Sequence, residues 1–104
     1  MILRIFKAII FPELRAEFEQ DFALIAVNLS LRQPGCVSCQ VGKPIHPELS
    51  EYAMLTLWQD RASLVAFAGE DYELAAPPAG MGRFIHSCSV EHYLSTKPLL
   101  RRSP

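Results

Sequence analysis

The fold is decided by residues 51–69, which read EYAMLTLWQDRASLVAFAG. Residues 51–59 alternate as a β-strand does, and both of their faces are apolar. One face carries Ala53, Leu55 and Leu57. The other face carries Tyr52, Met54, Thr56 and Trp58. Asp60 is a good N-cap for a helix over residues 61–68, and Gly69 ends that helix. The stretch therefore predicts a strand buried on both faces and joined tightly to a helix.

The segments before this unit predict a strand, a helix and a second strand. Residues 2–11 are rich in β-branched and aromatic types and end at Pro12, which suits the first turn of a helix. Residues 13–31 repeat apolar side chains at steps of four, four, three and four, as an amphipathic helix does. The repeat consists of Leu14, Phe18, Phe22, Ile25 and Leu29. Residues 34–35, Pro-Gly, end the helix, and residues 36–41 alternate as a second strand.

Residues after the second helix complete a βαββαβ order. Residues 70–76 add one helical turn, residues 77–82 form a loop and residues 84–94 form strand four. This order predicts an α+β, ferredoxin-like fold over residues 1–95, in which both helices lie on one face of an antiparallel sheet. Residues 96–104 read as a flexible tail.

Aromatic residues on one sheet face predict a homodimer. Phe6, Tyr52, Met54 and Trp58 share the face that we expect to lie opposite the helices. A bare aromatic face promotes aggregation, so a second copy packed sheet to sheet is the simplest cover, with a cavity between the copies.

Composition excludes several classes of protein. The chain has 104 residues, 50% of them hydrophobic, with a net charge of -1. This balance argues against disorder and against nucleic-acid or anionic-membrane partners. No signal peptide or membrane span is predicted, so we expect a cytoplasmic protein. Three cysteines cannot all pair, which favours reduced thiols.

The chain resembles the antibiotic biosynthesis monooxygenase family of dimeric α+β barrels. The resemblance is carried by residues 34–36, Pro-Gly-Cys, and by residues 55–67, LTLWQDRASLVAF, and it extends over residues 2–94. It implies a dimer with one pocket per subunit, lined by the sheet and closed by the loop after the second helix. It also implies oxygenation, without any cofactor, of a phenolic or anthrone-like compound whose anion itself reduces oxygen.

The resemblance and strand parity together give the candidate site. Trp58 matches the family's pocket tryptophan, with stacking and N–H donation as its expected role, and Arg4 is the expected anion stabiliser. His86 is the expected catalytic base. The substrate-binding candidates are Phe6, Tyr52, Met54, Thr56 and Phe84. No metal is expected.

Other interpretations of these residues stay open. Trp58 can serve packing alone, and the chain can be a non-catalytic homodimer that binds a ligand. His86, Cys88 and His92 share parity on strand four, which allows a metal site, one histidine as base, or surface histidines. Haem degradation is disfavoured, because the resemblance then requires an asparagine in strand one and a histidine after the Trp58 strand.

Cys36 and Cys39 have the spacing of a zinc or redox motif. On a regular strand this spacing places the two thiols on opposite faces, so we expect them to be small apolar fillers.

Overall fold

Four antiparallel strands form one sheet in the computed structural model, which describes residues 1–78 and 80–96 and, for residues 22 and 23, the backbone alone. The strands are β1 (Ile2–Ile10), β2 (Cys36–Gly42), β3 (Glu51–Trp58) and β4 (Ile85–Leu94). Their order across the sheet is β2-β3-β1-β4. The predicted ferredoxin-like α+β fold is confirmed. The predicted tail falls on residues 96–104, of which 97–104 lie outside the described residues.

Two helical segments connect the strands. The first (residues 12–31) consists of a 3-10 turn at Pro12–Leu14, an α-helical turn at Arg15–Glu17, a π-turn at Phe18–Phe22 and an α-helix at Ala23–Leu31. The second helix is Arg61–Ala68. A further 3-10 turn at residues 82–84 leads into β4. In the described part of the chain, no helix is long and apolar enough to cross a membrane.

The second helix has the ends that its sequence predicts. The Asp60 carboxylate accepts a hydrogen bond from the Ser63 backbone N–H at 2.8 Å. Gly69 ends the helix with φ 92°, a backbone conformation that favours glycine. The helix therefore begins and ends where the sequence predicts.

The helices cover the opposite face of the sheet from the one we expected. Phe6 on β1 pairs with Met54 on β3, so their side chains share a face, and the buried cluster on that face includes Phe18 of the first helical segment. On the same face Trp58 stacks on Phe67 of the second helix. The prediction that these aromatic residues face away from the helices is therefore wrong. Because both faces of β3 are apolar, strand parity could not decide which face the helices cover.

The other face of the sheet is left uncovered by the described residues. It carries an apolar centre, since Leu3 pairs with Leu57 and Ile5 pairs with Leu55. All four of these side chains are half-buried in the single chain. The Lys7–Glu91 ion pair, 3.7 Å long, lies on this face beside the apolar centre.

The π-turn changes which residues of the first helical segment face the sheet. Phe18 is buried, as the apolar repeat predicts, but Ile25 and Leu29 are 47% and 53% exposed. Ala26 and Ser30 face the sheet instead. A π-turn inserts one extra residue, which rotates the following helix by about 100° around its axis. The prediction of one continuous apolar stripe is therefore wrong beyond residue 22.

Candidate functional site

An apolar cavity of about 40 Å³ lies between the sheet and the first helical segment. Phe6, Tyr52 and Met54 line it from the sheet, as do Phe18 from the π-turn and Met81 from the loop before β4. Three of these five residues were predicted to bind substrate. A cavity of roughly 150 Å³ accommodates a benzene ring, so an aromatic ligand requires this cavity to widen. Met54 and Met81 are suited to such a change, because methionine side chains adopt many shapes at little cost.

Tyr52 is held at the cavity by the π-turn. Its ring packs edge-on against Phe18, with the ring centroids 5.0 Å apart. Its hydroxyl donates a hydrogen bond to the Glu19 carboxylate and accepts one from Arg15 Nε at 3.1 Å. Burial and the bond to Glu19 raise the pKa of Tyr52. The Tyr52 hydroxyl is therefore kept protonated and is held by Glu19 and Arg15 of the first helical segment.

Arg4 is buried on the same face of β1 as Phe6. Side chains two residues apart on a strand are about 7 Å apart, so Arg4 lies one step beyond the cavity. Only 7% of the residue is exposed, and its Nε has no hydrogen-bond partner. Its Nη1 donates to the Tyr72 carbonyl at 3.0 Å and lies 2.9 Å from His92 Nε2. Burial lowers the pKa of Arg4.

His92 contacts Arg4, and this contact was not predicted from the sequence. The β1–β4 register places it directly opposite Arg4, on the helix-covered face. Burial and the Arg4 charge lower the pKa of His92, and the Glu73 charge opposes them in part. Its ring packs edge-on against Tyr72, with the centroids 5.1 Å apart. Alternation along strand four predicts that His92 and His86 share a face. The pairing of β4 with β1 distinguishes them, because it places only His92 opposite Arg4.

His86 lies at the other end of β4, next to a register shift between Ile9 and Ile10. It is exposed, and its ring packs edge-on against Phe11 at 5.5 Å. The structure therefore does not bring His86 together with Arg4. Phe84 is fully buried and packs against Phe18, with the centroids 5.9 Å apart, in the core next to the cavity.

Trp58 and Thr56 lie under the second helix and contact each other. The Trp58 indole N–H donates to Thr56 Oγ1 at 2.8 Å, and both residues are fully buried. The Trp58 ring stacks on Phe67, with the centroids 4.8 Å apart. Thr56 pairs with Arg4 in the β1–β3 register. The predicted site residues other than His86 thus lie in one layer, with aromatic residues at the cavity and polar residues around Arg4.

An open cleft of about 320 Å³ lies outside the polar part of this layer. It is bounded by Arg61 and Val65 of the second helix and by residues 70–74. Tyr72 forms part of the wall of this cleft, and the same residue contacts Arg4 through its carbonyl and His92 through its ring. Tyr72 therefore links the cleft to the buried Arg4 and His92.

The two cysteines of β2 share one face of the sheet. Cys36 pairs with Trp58 and Cys39 with Thr56, because a register shift between Cys36 and Ser38 adds a residue to β2. The expectation that they lie on opposite faces is therefore wrong. Burial is the main cause that raises the pKa of both thiols, which disfavours the thiolate that metals and disulfide exchange require. In residues 1–78 and 80–96 no group of three or more metal-binding side chains was found.

The chain matches one family model and several solved structures. Residues 1–77 match the family model described as antibiotic biosynthesis monooxygenase. A candidate antibiotic biosynthesis monooxygenase from Deinococcus radiodurans has a TM-score of 0.77 at 10% identity, covering 99% of this chain and 100% of that chain. One from Caulobacter crescentus has a TM-score of 0.72 at 27% identity, with coverages of 92% and 90%. No curated protein matches the sequence.

Proposed function

The chain belongs to the antibiotic biosynthesis monooxygenase family, and from this membership we propose that it is a cofactor-independent monooxygenase of a small phenolic compound. The observation that supports the proposal most is the layer between sheet and helices, where an aromatic-lined cavity and a buried arginine lie on the same face of the sheet. An apolar pocket with a few convergent polar groups is the usual form of a small-molecule site.

The proposed reaction uses the electron-rich substrate itself as the reductant of oxygen. In an anthrone-like compound a methylene group becomes a carbonyl group: one oxygen atom enters the substrate, and the other leaves as water with the two displaced hydrogens. The protein then has to bind a planar ring, stabilise its anion and exclude water. Phe6, Tyr52 and Met54 are suited to bind the ring, and Arg4 to stabilise the anion.

Trp58, Thr56 and Phe84 have a supporting role in this proposal. All three are fully buried, and the Trp58 N–H already donates to Thr56. They shape the layer in which the ring is bound. The exposed position of His86, beside Phe11, disfavours it as the base.

The test is oxygen uptake with anthrone by protein dialysed against a chelator. We expect turnover by the wild-type protein and a loss of about tenfold or more in the variant Ala26→Val, which corresponds to about 1.4 kcal/mol. Ala26 lines the cavity, so two added methyl groups fill it. Ala16→Val is the matched control, because Ala16 is exposed in the same helical segment. Uptake no faster than the spontaneous rate contradicts the proposal.

A second candidate is a non-catalytic homodimer that binds the same class of ligand. It is favoured by the polar atoms of Tyr52 and Trp58, which are already engaged in hydrogen bonds within the protein. Ligand binding without oxygen uptake supports this candidate.

We also propose that the protein is a homodimer, formed through the uncovered sheet face. The apolar centre of Leu3, Ile5, Leu55 and Leu57 supports this, because monomers rarely leave such a patch in water. The proposed interface is thus the face opposite the site, and each subunit keeps its own site between sheet and helices.

A further inference from the structure

We propose that Arg4 and His92 together bind the ligand through an acidic hydroxyl group, whose proton passes to His92 Nε2 while its oxygen is held by the Arg4 guanidinium. The inference rests on the proposed function for its ligand class, an aromatic ring with an ionisable hydroxyl. It goes further by assigning the proton acceptor, His92, and the group of the ligand that Arg4 and His92 hold between them. It does not depend on any reaction with oxygen.

The charge of Arg4 has no counter-ion within the described residues. None of the ion pairs in residues 1–78 and 80–96 includes Arg4, although the side chain is buried. Residue 79 and residues 97–104 contain no acidic side chain. A buried charge is costly unless it is paired, and the unpartnered Nε adds a donor that water cannot reach. An anionic oxygen is the partner that this guanidinium lacks.

His92 is poised to receive a proton. A guanidinium can only donate hydrogen bonds, so the 2.9 Å contact with Arg4 Nη1 requires a lone pair on His92 Nε2. The ring proton is therefore on Nδ1. Burial and the Arg4 charge favour this neutral form. A ligand hydroxyl that enters between the two side chains meets one group that accepts its proton and one that stabilises the resulting anion.

The transfer needs no other reactant. The O–H bond of the ligand breaks, an N–H bond forms at His92 Nε2, and the electron pair stays on the ligand oxygen. The new imidazolium lies beside Arg4, which is unfavourable unless an anion lies between them. The Glu73 charge favours the protonated ring. His92 thus gains its proton only together with the bound phenolate.

Tyr72 is the contact that the ligand replaces. Its carbonyl occupies Arg4 Nη1 at 3.0 Å, and its ring lies against His92. Because Tyr72 also forms a wall of the open cleft, its displacement opens Arg4 and His92 to the surface. The backbone of residues 70–74 forms turns and a bend rather than a regular element, so this movement breaks no helix or strand.

The test is an anaerobic titration with 4-nitrophenol, whose visible absorption reports its ionised form. We expect the wild-type protein to bind nitrophenol as the phenolate at a pH below the pKa of the free phenol. Arg4→Gln should weaken binding about tenfold or more and abolish the shift of the absorption band. Arg4→Lys, which keeps the charge, should restore part of both.

His92→Gln should change the pH profile in a way that a structural role does not. Without the proton acceptor, binding should follow the ionisation of the free phenol, so that affinity falls as the pH is lowered. His46→Gln is the matched control, because His46 is exposed in the loop between β2 and β3. In the ¹⁵N spectrum of the wild-type protein, both His92 nitrogens should become protonated when nitrophenol binds.

The outcomes separate this inference from the proposed function. The inference is overturned if nitrophenol does not bind or if His92→Gln leaves the pH profile unchanged. It is also overturned if the phenolate signal is lost in His86→Gln but kept in His92→Gln. Ionisation of the phenol without oxygen uptake leaves the inference standing and contradicts the oxygenase. Oxygen uptake without ionisation of the phenol supports the oxygenase and overturns the inference.

Discussion

Trp58 uses both its ring and its N–H within the protein. The ring stacks on Phe67, and the N–H donates to Thr56 Oγ1 at 2.8 Å. These contacts account for its full burial without any ligand. The residue therefore ties β3 to the second helix, whatever the chemistry next to it.

Substitution of Trp58 should separate the two contacts. Trp58→Ala should lower the free energy of unfolding by about 3–5 kcal/mol, as for other buried aromatic residues. Trp58→Phe keeps a ring on Phe67 but leaves the buried Thr56 hydroxyl without its donor, so we expect a loss of about 1–3 kcal/mol. Urea denaturation measures both.

The control is Trp58→Phe combined with Thr56→Val, which removes the unpartnered hydroxyl and should recover part of the stability. No recovery means that the hydrogen bond contributes little and that ring packing dominates.

The lowered pKa of His92 predicts a specific dependence of stability on pH. The groups that face His92 are Arg4, Tyr72 and Glu73. Because the folded protein binds a proton to His92 less readily than the unfolded chain does, acid favours unfolding. This part of the stability is present above about pH 6.5 and is lost as the pH falls toward the folded pKa.

Denaturation of the wild-type protein and His92→Gln at a series of pH values tests this. The stability difference between the two should change between about pH 7 and pH 5, with the wild-type protein losing more as the pH falls. Parallel curves for the two proteins contradict a lowered pKa. His86→Gln shows how an exposed histidine of the same strand behaves.

At the scale of the elements, the π-turn decides what the first helical segment buries. Phe18 and Glu19, both in the π-turn, contact the Tyr52 ring and hydroxyl. The extra residue then rotates Ile25 and Leu29 away from the sheet. The same insertion therefore fixes Tyr52 at the cavity and leaves apolar side chains in water.

Leu29→Gln tests the rotation directly. Since Leu29 is 53% exposed, this substitution should change the free energy of unfolding by about 0.5 kcal/mol or less. Phe18→Ala, at the buried end of the same apolar repeat, should cost about 3–5 kcal/mol. If Leu29→Gln costs as much as a buried leucine, about 2–5 kcal/mol, the helix is continuous and the π-turn is absent.

The elements were predictable because their signals are local. Alternation marks the strands, Asp60 and Gly69 mark the ends of the second helix, and Pro12 marks the first turn. The rotation after residue 22 follows from the π-turn, whose Phe18 and Glu19 contact Tyr52 of a distant strand, and an apolar repeat assumes a regular helix without such an insertion. The added residue in β2, which brings Cys36 and Cys39 to one face, is set by pairing with β3 in the same way.

The candidate site was predictable in its members more than in its geometry. Arg4, Phe6, Tyr52, Met54, Thr56 and Trp58 do share one face. Strand parity alone could not show that the helices cover this face. It also could not show that His92, rather than His86, lies beside Arg4. Both choices require the pairing of strands across the sheet.

At the scale of the whole molecule, the uncovered sheet face determines the proposed assembly. Leu55→Lys places a charge at the apolar centre opposite Ile5, so we expect the dimer to dissociate at micromolar concentration. Sedimentation velocity measures the change. Leu24→Lys is the matched control, because Leu24 is 64% exposed on the first helical segment. A dimer that survives Leu55→Lys but not Leu24→Lys places the interface on the helix.

Arg4 has a buried Nε without a partner, so an anionic ligand that pairs with Arg4 should stabilise the folded protein. A ligand at one hundred times its dissociation constant adds about 2.7 kcal/mol to the folded state. In a domain of this size that raises the melting temperature by about 10–20 °C. Acidic aromatic compounds should therefore stand out in a thermal screen of the wild-type protein, and the same compounds should raise the melting temperature of Arg4→Gln by less. Molecules of natural origin can be ranked in this way before any reaction is known.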